Sequence, residues 1–381
     1  MAARKKVMTI LGTRPEIIRL AAVMKRLDRH VEHKIVHTGQ NYDYELNEVF
    51  FKDLEVRRPD YFLNVNTSSL GQVYGNILIA VEPILKSERP DAVLILGDTN
   101  SSIAGIIVRR MKIPLYHMEA GNRCFDFNVP EEMNRRIIDH ISDFNLVYTE
   151  HARRHLIAEG FPQRRIYLTG SPMREVLADN MDKIHSSGIL EELGLTKGGF
   201  FVVSAHREEN VDNRENLTNI LAAMEKLHEE FRLPVIVSTH PRTRKRLDSL
   251  GAINISDGIR FLKPFGFNDY NWLQMNARCV ISDSGTIAEE SAILDFPAIT
   301  IRNAIERPEA LDAGTLIMTG LNPDTIVAAV RLQTSEDNAR MPRRIPADYE
   351  IANTSYRVVK FILGTAGVSH LWEGIRPNTL S

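Results

Sequence analysis

Three acidic residues in the first half of the chain stand where a carboxylate could act on a bound ligand. Asp98 follows the apolar run 92–96 after a single glycine, and Glu119 follows the run 114–117. Glu131 lies in a segment that has the composition of a helix start. Each residue alone would more often be a helix cap or a surface charge. Together they offer several carboxylates at one crevice, and such a group can remove a proton from one face of a carbon atom and return it to the other face.

Two segments carry cations at the ends of predicted strands. The sequence GTRPE at residues 12–16 closes the first strand and opens a helix that Thr13 is expected to cap. Arg14 is well placed in this turn to bind a phosphate or carboxylate group. His206 follows another strand and precedes Arg207, and this pair suits the negative charge that develops on a pyrophosphate.

The segment SDSGTIAEE at residues 282–290 is the most specific local signal in the chain. A strand ends in it, a turn of small residues follows, and a helix begins whose backbone N–H groups could cradle a diphosphate. Glu290, one helical turn further on, could reach ribose hydroxyls. Arg307 adds a cation after the next strand.

The composition argues against several other kinds of protein. Lys and Arg number 47 against 49 Asp and Glu, for a net charge of −2, so we expect no nucleic-acid partner. The chain has neither a Walker A nor a dinucleotide-binding glycine motif, and its histidines and cysteines show no metal-ligand spacing, so we expect no cofactor and no metal. No apolar stretch approaches the ~20 residues of a membrane helix, and the two cysteines are too few for a disulfide framework. We therefore expect a cytoplasmic protein with no membrane partner.

Short, continuously apolar runs alternate with helical stretches along the whole chain. Such runs are typical of strands that are buried on both faces, so the pattern predicts an α/β protein with two parallel sheets, each covered by helices. The predicted strands are residues 7–11, 34–37, 92–96, 114–117, 145–148, 166–169, 200–204, 234–238, 259–262, 279–282, 298–301 and 315–318.

Polar residues stand at the ends of most of these strands. The set consists of Arg14, Gln40, Asp98, Glu119, His206, His240, Asp283, Ser284 and Arg302. The carboxyl ends of parallel strands line the ligand crevice of an open sheet. We therefore expect two carboxyl edges that face a shared cleft.

At this point the motifs resemble a known family, the non-hydrolysing UDP-N-acetylglucosamine 2-epimerases. The segments that carry the resemblance are GTRPE (12–16), GDT (97–99), EAG (119–121), PEE (130–132), HR (206–207), DSG (283–285), EE (289–290) and ERPE (306–309), within about residues 7–320. The resemblance implies a GT-B-like fold of two Rossmann-like domains whose parallel sheets face a central cleft. The expected domains are residues 1–172, with a C-terminal helix in 354–381 that packs back on them, and a UDP-binding domain at residues 173–353.

The resemblance also implies a mechanism and a role for each candidate residue. UDP would leave C1 as C2 loses its proton, and UDP would then add back to the bound 2-acetamidoglucal with protonation on the opposite face. The catalytic set would be Asp98, Glu119, Glu131 and His206, of which the three acids share the proton transfers and His206 stabilises the diphosphate. The binding set would be Arg14 and Arg19 for the diphosphate or sugar, Ser284, Gly285, Thr286, Glu290 and Arg307 for UDP, and Tyr270 stacked on uracil. The implied partner is a UDP-activated amino sugar, and the implied assembly is a homodimer.

Several positions depart from the common pattern of this family. Arg19 replaces a lysine, Thr286 replaces a glycine, Phe265 replaces a polar residue and Asn122 replaces a leucine. The stretches HMEAGNRCFD (117–126), GSPMREVL (170–177), SAHREENVD (204–212) and KPFGFNDYN (263–271) are more similar to the UDP-N-acetyl-L-fucosamine synthase branch. That branch epimerises C2 of UDP-2-acetamido-2,6-dideoxy-L-talose, a step in the synthesis of capsule and O-antigen precursors. The alternatives are the parent activity, UDP-N-acetylglucosamine to UDP-N-acetylmannosamine, and more remotely a GT-B glycosyltransferase.

Overall fold

The strands form where the chain has short apolar runs, and helices occupy much of the sequence between them. The computed structural model describes residues 4–39, 50–66, 68–239, 241–249, 255–341 and 345–375. The chain separates into two compact units, Met1–Asp179 with Ile351–Ser381, and Asn180–Glu350. The division between them falls inside the helix Met173–His185, whereas the boundary expected from the sequence lies between residues 172 and 173.

The first unit contains a seven-stranded sheet in which every pairing is parallel. Its strands are β1 (Lys6–Leu11), β2 (Glu32–His37), β3 (Tyr61–Phe62), β4 (Ala92–Leu96), β5 (Leu115–Met118), β6 (Phe144–Val147) and β7 (Ile166–Leu168). They lie in the order β3-β2-β1-β4-β5-β6-β7. β3 is absent from the predicted strands, because two residues are too few to form an apolar run.

The second unit contains a six-stranded parallel sheet. Its strands are β8 (Phe201–Ser204), β9 (Val235–Ser238), β10 (Ile259–Leu262), β11 (Cys279–Ser282), β12 (Ala298–Thr300) and β13 (Leu316–Met318). They lie in the order β10-β9-β8-β11-β12-β13. Each predicted strand is present in one of the two sheets, with ends that differ from the prediction by two residues or fewer.

Helices connect successive strands in both units. In the described residues they are α1 (Arg14–His30), α2 (Leu70–Glu88), α3 (Gly105–Arg110), α4 (Pro130–Ile141), α5 (Glu150–Ala158), α6 (Met173–His185), α7 (Ile189–Leu193), α8 (Glu208–Val211), α9 (Arg214–Phe231), α10 (Pro241–Ser249), α11 (Phe267–Asn276), α12 (Ile287–Leu294), α13 (Glu309–Asp312), α14 (Pro323–Gln333), α15 (Glu336–Arg340), α16 (Thr354–Thr365) and α17 (Ser369–Glu373). In this part of the chain no helix combines the length and the apolar character needed to cross a bilayer.

The cores form where helices cover the sheets. In the first unit Ile10 and Ile95 of the sheet share one buried cluster with Ile77 of α2 and Ile138 of α4. In the second unit Val203 and Ile281 are buried in one cluster with residues of α9 and α14. Every residue of β4 is buried, as a central strand covered on both faces requires.

The last helices of the chain pack on the first unit. The Thr354 hydroxyl donates to the carbonyls of Thr169 and Ser171, at 3.1 Å each. The Arg26 side chain of α1 donates to the Ser355 hydroxyl at 2.6 Å. The chain therefore returns to the first sheet after completing the second.

The strand order reverses between β1 and β4 in the first sheet and between β8 and β11 in the second. In open parallel sheets, ligands bind just outside the carboxyl ends of the strands at such a reversal. The segments that follow these four strands are residues 12–14, 97–99, 205–207 and 283–286, and each contains predicted site residues. Two other predicted strand-end residues, Gln40 and His240, lie outside the described residues.

Candidate active site

Asp98 lies at the reversal point of the first sheet and is held by α4. Arg135 donates from Nε and Nη2 to Oδ2 of Asp98, at 3.1 and 2.5 Å. The neighbouring Asn134 donates its side-chain amide to the Asp98 carbonyl at 2.9 Å. Two successive residues of one helix therefore fix both the backbone and the carboxylate of Asp98.

Glu119 follows β5 in an unusual backbone conformation. Its φ is 67°, in the left-handed region that costs a non-glycine residue about 1–2 kcal/mol. The Glu119 carboxylate accepts from Arg19 at 3.1 Å, and both side chains are buried. A Cβ at Gly97 would lie 3.9 Å from Glu119 Oε2, so this carboxylate lies against the residue that precedes Asp98. The structure thus places the Glu119 carboxylate beside the segment that carries Asp98. Strained backbone of this kind is common at functional sites.

Glu131 stands in the first turn of α4, where its charge complements the positive end of the helix. Three residues further on, the Asn134 side chain accepts from the Tyr74 hydroxyl of α2 at 2.6 Å. Burial raises the pKa of Tyr74, and the Glu131 charge adds to this increase. Glu131 therefore belongs to the same helix and the same polar cluster as the residues that hold Asp98.

The turn after β1 differs from the prediction in one detail. Thr13 occupies the N-cap position of α1, but its side chain does not cap the helix. Instead the Thr13 hydroxyl donates to Glu16 Oε2 at 2.7 Å, and the Gly12 N–H donates to the same oxygen at 3.0 Å. The predicted Thr13 cap is wrong: the Thr13 hydroxyl lies against the Glu16 carboxylate, to which it donates, and its oxygen accepts from no N–H of the first helical turn.

The two predicted arginines of α1 lie in different surroundings. Arg14 is the first residue of the helix, and its guanidinium lies 5.8 Å from the centre of the Phe50 ring. Arg19 is buried and lies 5.8 Å from the Tyr148 ring centre while it donates to Glu119. Arg19 therefore orients an acid of the site, a contact that the sequence analysis did not predict.

His206 is oriented by Asp283 in the second unit. The fully buried Asp283 carboxylate accepts from the backbone N–H groups of His206 and Arg207, at 3.0 to 3.1 Å. It also lies 3.1 Å from His206 Nδ1, while the His206 side chain is 41% exposed. A carboxylate in this position fixes the orientation of an imidazole and stabilises its protonated form.

Two guanidinium groups flank the turn at residues 284–286. Arg307 donates to the Gly285 carbonyl at 2.5 Å, and Arg207 donates to the Asp283 carbonyl at 3.2 Å. Within the turn, the Ser284 and Thr286 hydroxyls are 2.9 Å apart, and α12 starts directly after it. Small residues, two arginines and a helix N-terminus form a site that suits a diphosphate.

Little room is left for a side chain at the centre of this turn. A Cβ at Gly285 would lie 3.0 Å from Glu306 Oε1 and 3.2 Å from Arg307 Nη1. Glu306 is itself held by Arg302 at 2.6 Å and lies 3.5 Å from Arg207. A side chain at position 285 would displace the groups that form the site.

Tyr270, Gln274 and Glu290 form the other side of this region. Gln274 of α11 donates to Glu290 of α12 at 3.0 Å. Burial raises the pKa of Tyr270, and the Glu290 charge adds to the increase. The structure therefore places the residue predicted to stack on uracil close to the residue predicted to reach the ribose.

Four polar residues of this region were not predicted from the sequence: Arg135 and Asn134, which hold Asp98, and the buried pair His117 and Asp139. The only local signal was that Asn134 and Arg135 follow Glu131 by about one helical turn. Among the described residues, no three His, Cys, Asp or Glu side chains come together as a metal site would require.

Comparison with known proteins agrees with this geometry. The family model described as UDP-N-acetylglucosamine 2-epimerase matches residues 25–363. The structure of the UDP-N-acetylglucosamine 2-epimerase from Rickettsia bellii is 48% identical, and the match covers 97% of this chain and 100% of that chain with a TM-score of 0.88.

Two further relatives show the range of names in this group. Methanocaldococcus jannaschii UDP-GlcNAc 2-epimerase, solved in complex with UDP-GlcNAc and UDP, is 32% identical, with 94% of this chain and 99% of that chain covered and a TM-score of 0.87. The UDP-2,3-diacetamido-2,3-dideoxy-D-glucuronate 2-epimerase of Pseudomonas aeruginosa is 31% identical over 88% of this chain and 95% of its own length. The predicted GT-B-like α/β fold with two parallel sheets is confirmed by these structures. The chain belongs to the UDP-N-acetylglucosamine 2-epimerase family and is an isomerase that acts on UDP-sugars.

Proposed function

We propose that the chain inverts C2 of a UDP-2-acetamido sugar by eliminating UDP and adding it back. The observation that carries this proposal is the pair of acids at the reversal point of the first sheet, where the Glu119 carboxylate lies against Gly97, next to Asp98. A UDP-amino sugar as substrate is supported by the related enzymes solved with UDP-GlcNAc, from Methanocaldococcus jannaschii and Neisseria meningitidis. The carboxylates would move the C2 proton, and no step requires a metal or nicotinamide.

The first unit supplies the acid and base groups in this proposal. Asp98 and Glu119 are each fixed by a guanidinium, from Arg135 and Arg19. Fixed carboxylates are preorganised for proton transfer, so little reorganisation is needed as the C2–H bond breaks. Glu131, at the start of the helix that carries Arg135, is the third member of the set.

The second unit binds UDP and stabilises it as a leaving group. Arg207 and Arg307 flank the turn at Gly285, where the diphosphate would accept from backbone N–H groups. His206, oriented by Asp283, would donate to the phosphate oxygen that gains charge when the C1–O bond breaks. Tyr270 and Glu290 would contact the uracil and the ribose.

For the sugar itself we propose UDP-2-acetamido-2,6-dideoxy-L-talose, which the reaction would convert to UDP-N-acetyl-L-fucosamine. The support is the resemblance of the stretches around Glu119, His206 and Tyr270 to that branch of the family. The Pseudomonas aeruginosa relative is named for a sugar that differs from N-acetylglucosamine at C3 and C6, so this degree of identity spans different sugars. The second candidate, UDP-N-acetylglucosamine, is favoured by the name of the Rickettsia bellii relative.

Turnover of the two UDP-sugars separates these candidates. We expect kcat/KM to be at least about tenfold higher for the 6-deoxy-L-talose derivative. The two sugars differ in ring configuration as well as at C6, and even one changed group gives about tenfold discrimination in a fitted pocket. Epimerisation is followed by NMR of the C2 proton, with UDP-N-acetylglucosamine measured at the same enzyme concentration. Equal or reversed ratios would assign the chain to the parent activity.

Amide variants in deuterated water test the mechanism. Asp98→Asn, Glu119→Gln and Glu131→Gln should each reduce epimerisation by at least ~10²-fold, the usual effect of a lost general acid or base. UDP affinity, measured by calorimetry, should stay unchanged because the second unit binds the nucleotide. The wild-type product should carry solvent deuterium at C2. Complete retention of protium at C2 would show that the hydrogen never left as a proton, and the elimination mechanism would be wrong.

A further inference from the structure

Eight charged side chains of the first unit form an unbroken series of ion pairs, which we name the charged circuit. The links, in order, are Asp98 with Arg135 (2.5 Å), Arg135 with Glu132 (2.6 Å), Glu132 with Arg136 (2.9 Å), Arg136 with Glu159 (3.3 Å), Glu159 with Arg123 (2.6 Å), Arg123 with Asp139 (2.7 Å) and Asp139 with His117 (2.9 Å). His117 Nε2 then lies 2.8 Å from the carbonyl of Gly97, the residue before Asp98. The series therefore begins at the Asp98 carboxylate and ends at the carbonyl of the peptide bond that joins Gly97 to Asp98.

The two contacts of His117 determine its charge. The side chain is fully buried on β5, with Nδ1 against an Asp139 carboxylate oxygen and Nε2 against the Gly97 carbonyl oxygen. A carbonyl can only accept, and an ionised carboxylate can only accept. Both ring nitrogens must therefore donate, which requires the doubly protonated imidazolium.

The balance of charge in the circuit leads to the same result. Its anions are Asp98, Glu132, Glu159 and Asp139, and its cations are Arg135, Arg136, Arg123 and His117. The charges cancel only when His117 is protonated. Burial alone would raise the pKa of Asp139, but the hydrogen bonds and charges of His117 and Arg123 hold it below its usual value.

His117 also reaches the loop that follows the second acid. Asp139, held by His117, accepts from the Gly121 N–H at 3.2 Å. Gly121 has a φ of 79° and stands two residues after Glu119, whose own φ is 67°. His117 therefore contacts the segment before Asp98 directly through Nε2. Through Nδ1 and Asp139 it is also linked to the segment after Glu119.

We propose that His117, as a buried imidazolium, is the residue that positions both acids of the site. The inference rests on the proposed function, because it assumes that Asp98 and Glu119 move the C2 proton. His117 does not contact the sugar in this role. It acts by fixing the two backbone segments from which the carboxylates project, so its loss lowers kcat without weakening substrate binding.

Two isosteric variants separate the contacts of His117. The amide nitrogen of Gln overlays Nε2, so His117→Gln can keep the Gly97 contact, whereas His117→Asn can keep the Asp139 contact. We expect kcat to fall by about 10²-fold for His117→Asn, the effect of a small displacement of a catalytic group, and less for His117→Gln. KM should stay within about threefold for both UDP-N-acetylglucosamine and UDP-2-acetamido-2,6-dideoxy-L-talose.

The matched control is His33, a second buried histidine of the same sheet. It lies on β2, 2.7 Å from Asp28 and 2.9 Å from the Thr9 hydroxyl, away from the predicted acids. His33→Asn and His33→Gln make the same changes in a buried histidine and should leave kcat unchanged. A folded His117→Asn variant whose kcat stays within threefold of wild type would overturn the proposal.

The charge of His117 is measured independently of activity and of variant folding. In wild-type enzyme with ¹⁵N-labelled histidine at pH 7.5, long-range ¹H–¹⁵N correlation should show both ring nitrogens of His117 protonated. The signals are assigned by their absence in whichever His117 variant folds, or by the contact of the ring with the Gly97 carbonyl carbon if neither does. A single protonated nitrogen would overturn the proposal.

The Asp98→Asn background distinguishes this proposal from the proposed function. If His117 acts by positioning Asp98, adding His117→Asn to Asp98→Asn should reduce the residual rate little further, whereas a full additional 10²-fold loss would contradict that route. If Asp98→Asn itself epimerises at the wild-type rate, the acid assignment fails, while the NMR result still decides the charge of His117.

Discussion

Glu16 provides a test of the site that does not depend on turnover. Its side chain is 1% exposed and accepts from Gly12 and Thr13 in the turn that presents Arg14. Burial raises the pKa of Glu16 from 4.5 to about 7, although these hydrogen bonds act in the opposite direction. The folded protein therefore binds this proton more tightly than the unfolded chain does.

The sign and size of the effect on stability follow from that difference. A raised pKa in the folded state stabilises the protein fully below the unfolded value, and this contribution is lost as the pH rises through about 7. At 1.36 kcal/mol for each pKa unit, the change between pH 5 and pH 8 is about 2–3 kcal/mol. The glutamine of Glu16→Gln cannot ionise, so the variant lacks this change. As the pH rises from 5 to 8, its free energy of unfolding should therefore increase by about 2–3 kcal/mol relative to that of the wild type.

Urea unfolding of the full chain measures this change. The protein has two tryptophans, and in a Trp272→Phe background the remaining Trp372, whose ring lies 5.9 Å from that of Phe144, reports on the first unit. Glu82→Gln removes a charge from an exposed helix position of the same unit and is the control. If the difference in free energy of unfolding between wild type and Glu16→Gln stays constant from pH 5 to pH 8, the reasoning is refuted.

Two further variants test the two units separately. Gly285→Ala places a Cβ 3.0 Å from Glu306, so UDP affinity measured by calorimetry should fall by at least about tenfold. The control is Gly188→Ala, which should bind UDP as the wild type does because a Cβ there meets no atom within 4 Å. Arg135→Lys keeps the positive charge but loses the two-nitrogen contact with Asp98. We expect kcat to fall by about tenfold or more while UDP affinity is unchanged. An unaltered kcat would mean that this contact does not orient the acid.

The strands and the candidate acids could be predicted because their signals are local. β4 is a run of five apolar residues, followed after one glycine by Asp98, and the chain pattern alone identifies both features. The diphosphate turn is equally local, since Ser284, Gly285 and Thr286 are consecutive and precede a helix. The two-residue β3 was missed because it is too short to give a local signal. The Thr13 cap was wrong because the Thr13 hydroxyl donates to the Glu16 side chain and its oxygen does not accept from the helix.

The partners of the acids could not be predicted, because they are set by the order of the strands. Arg135 reaches Asp98 across 37 residues of sequence, and Arg19 reaches Glu119 across 100. These contacts exist only because β1, β4 and β5 are neighbours in the sheet, with α1 and α4 beside them. The sequence by itself determined where the strands lie and which side chains stand at their ends. The tertiary structure alone decided which cation fixes which acid, and that His117 lies between Asp139 and the Gly97 carbonyl. These pairings depend on long-range packing that no local pattern encodes.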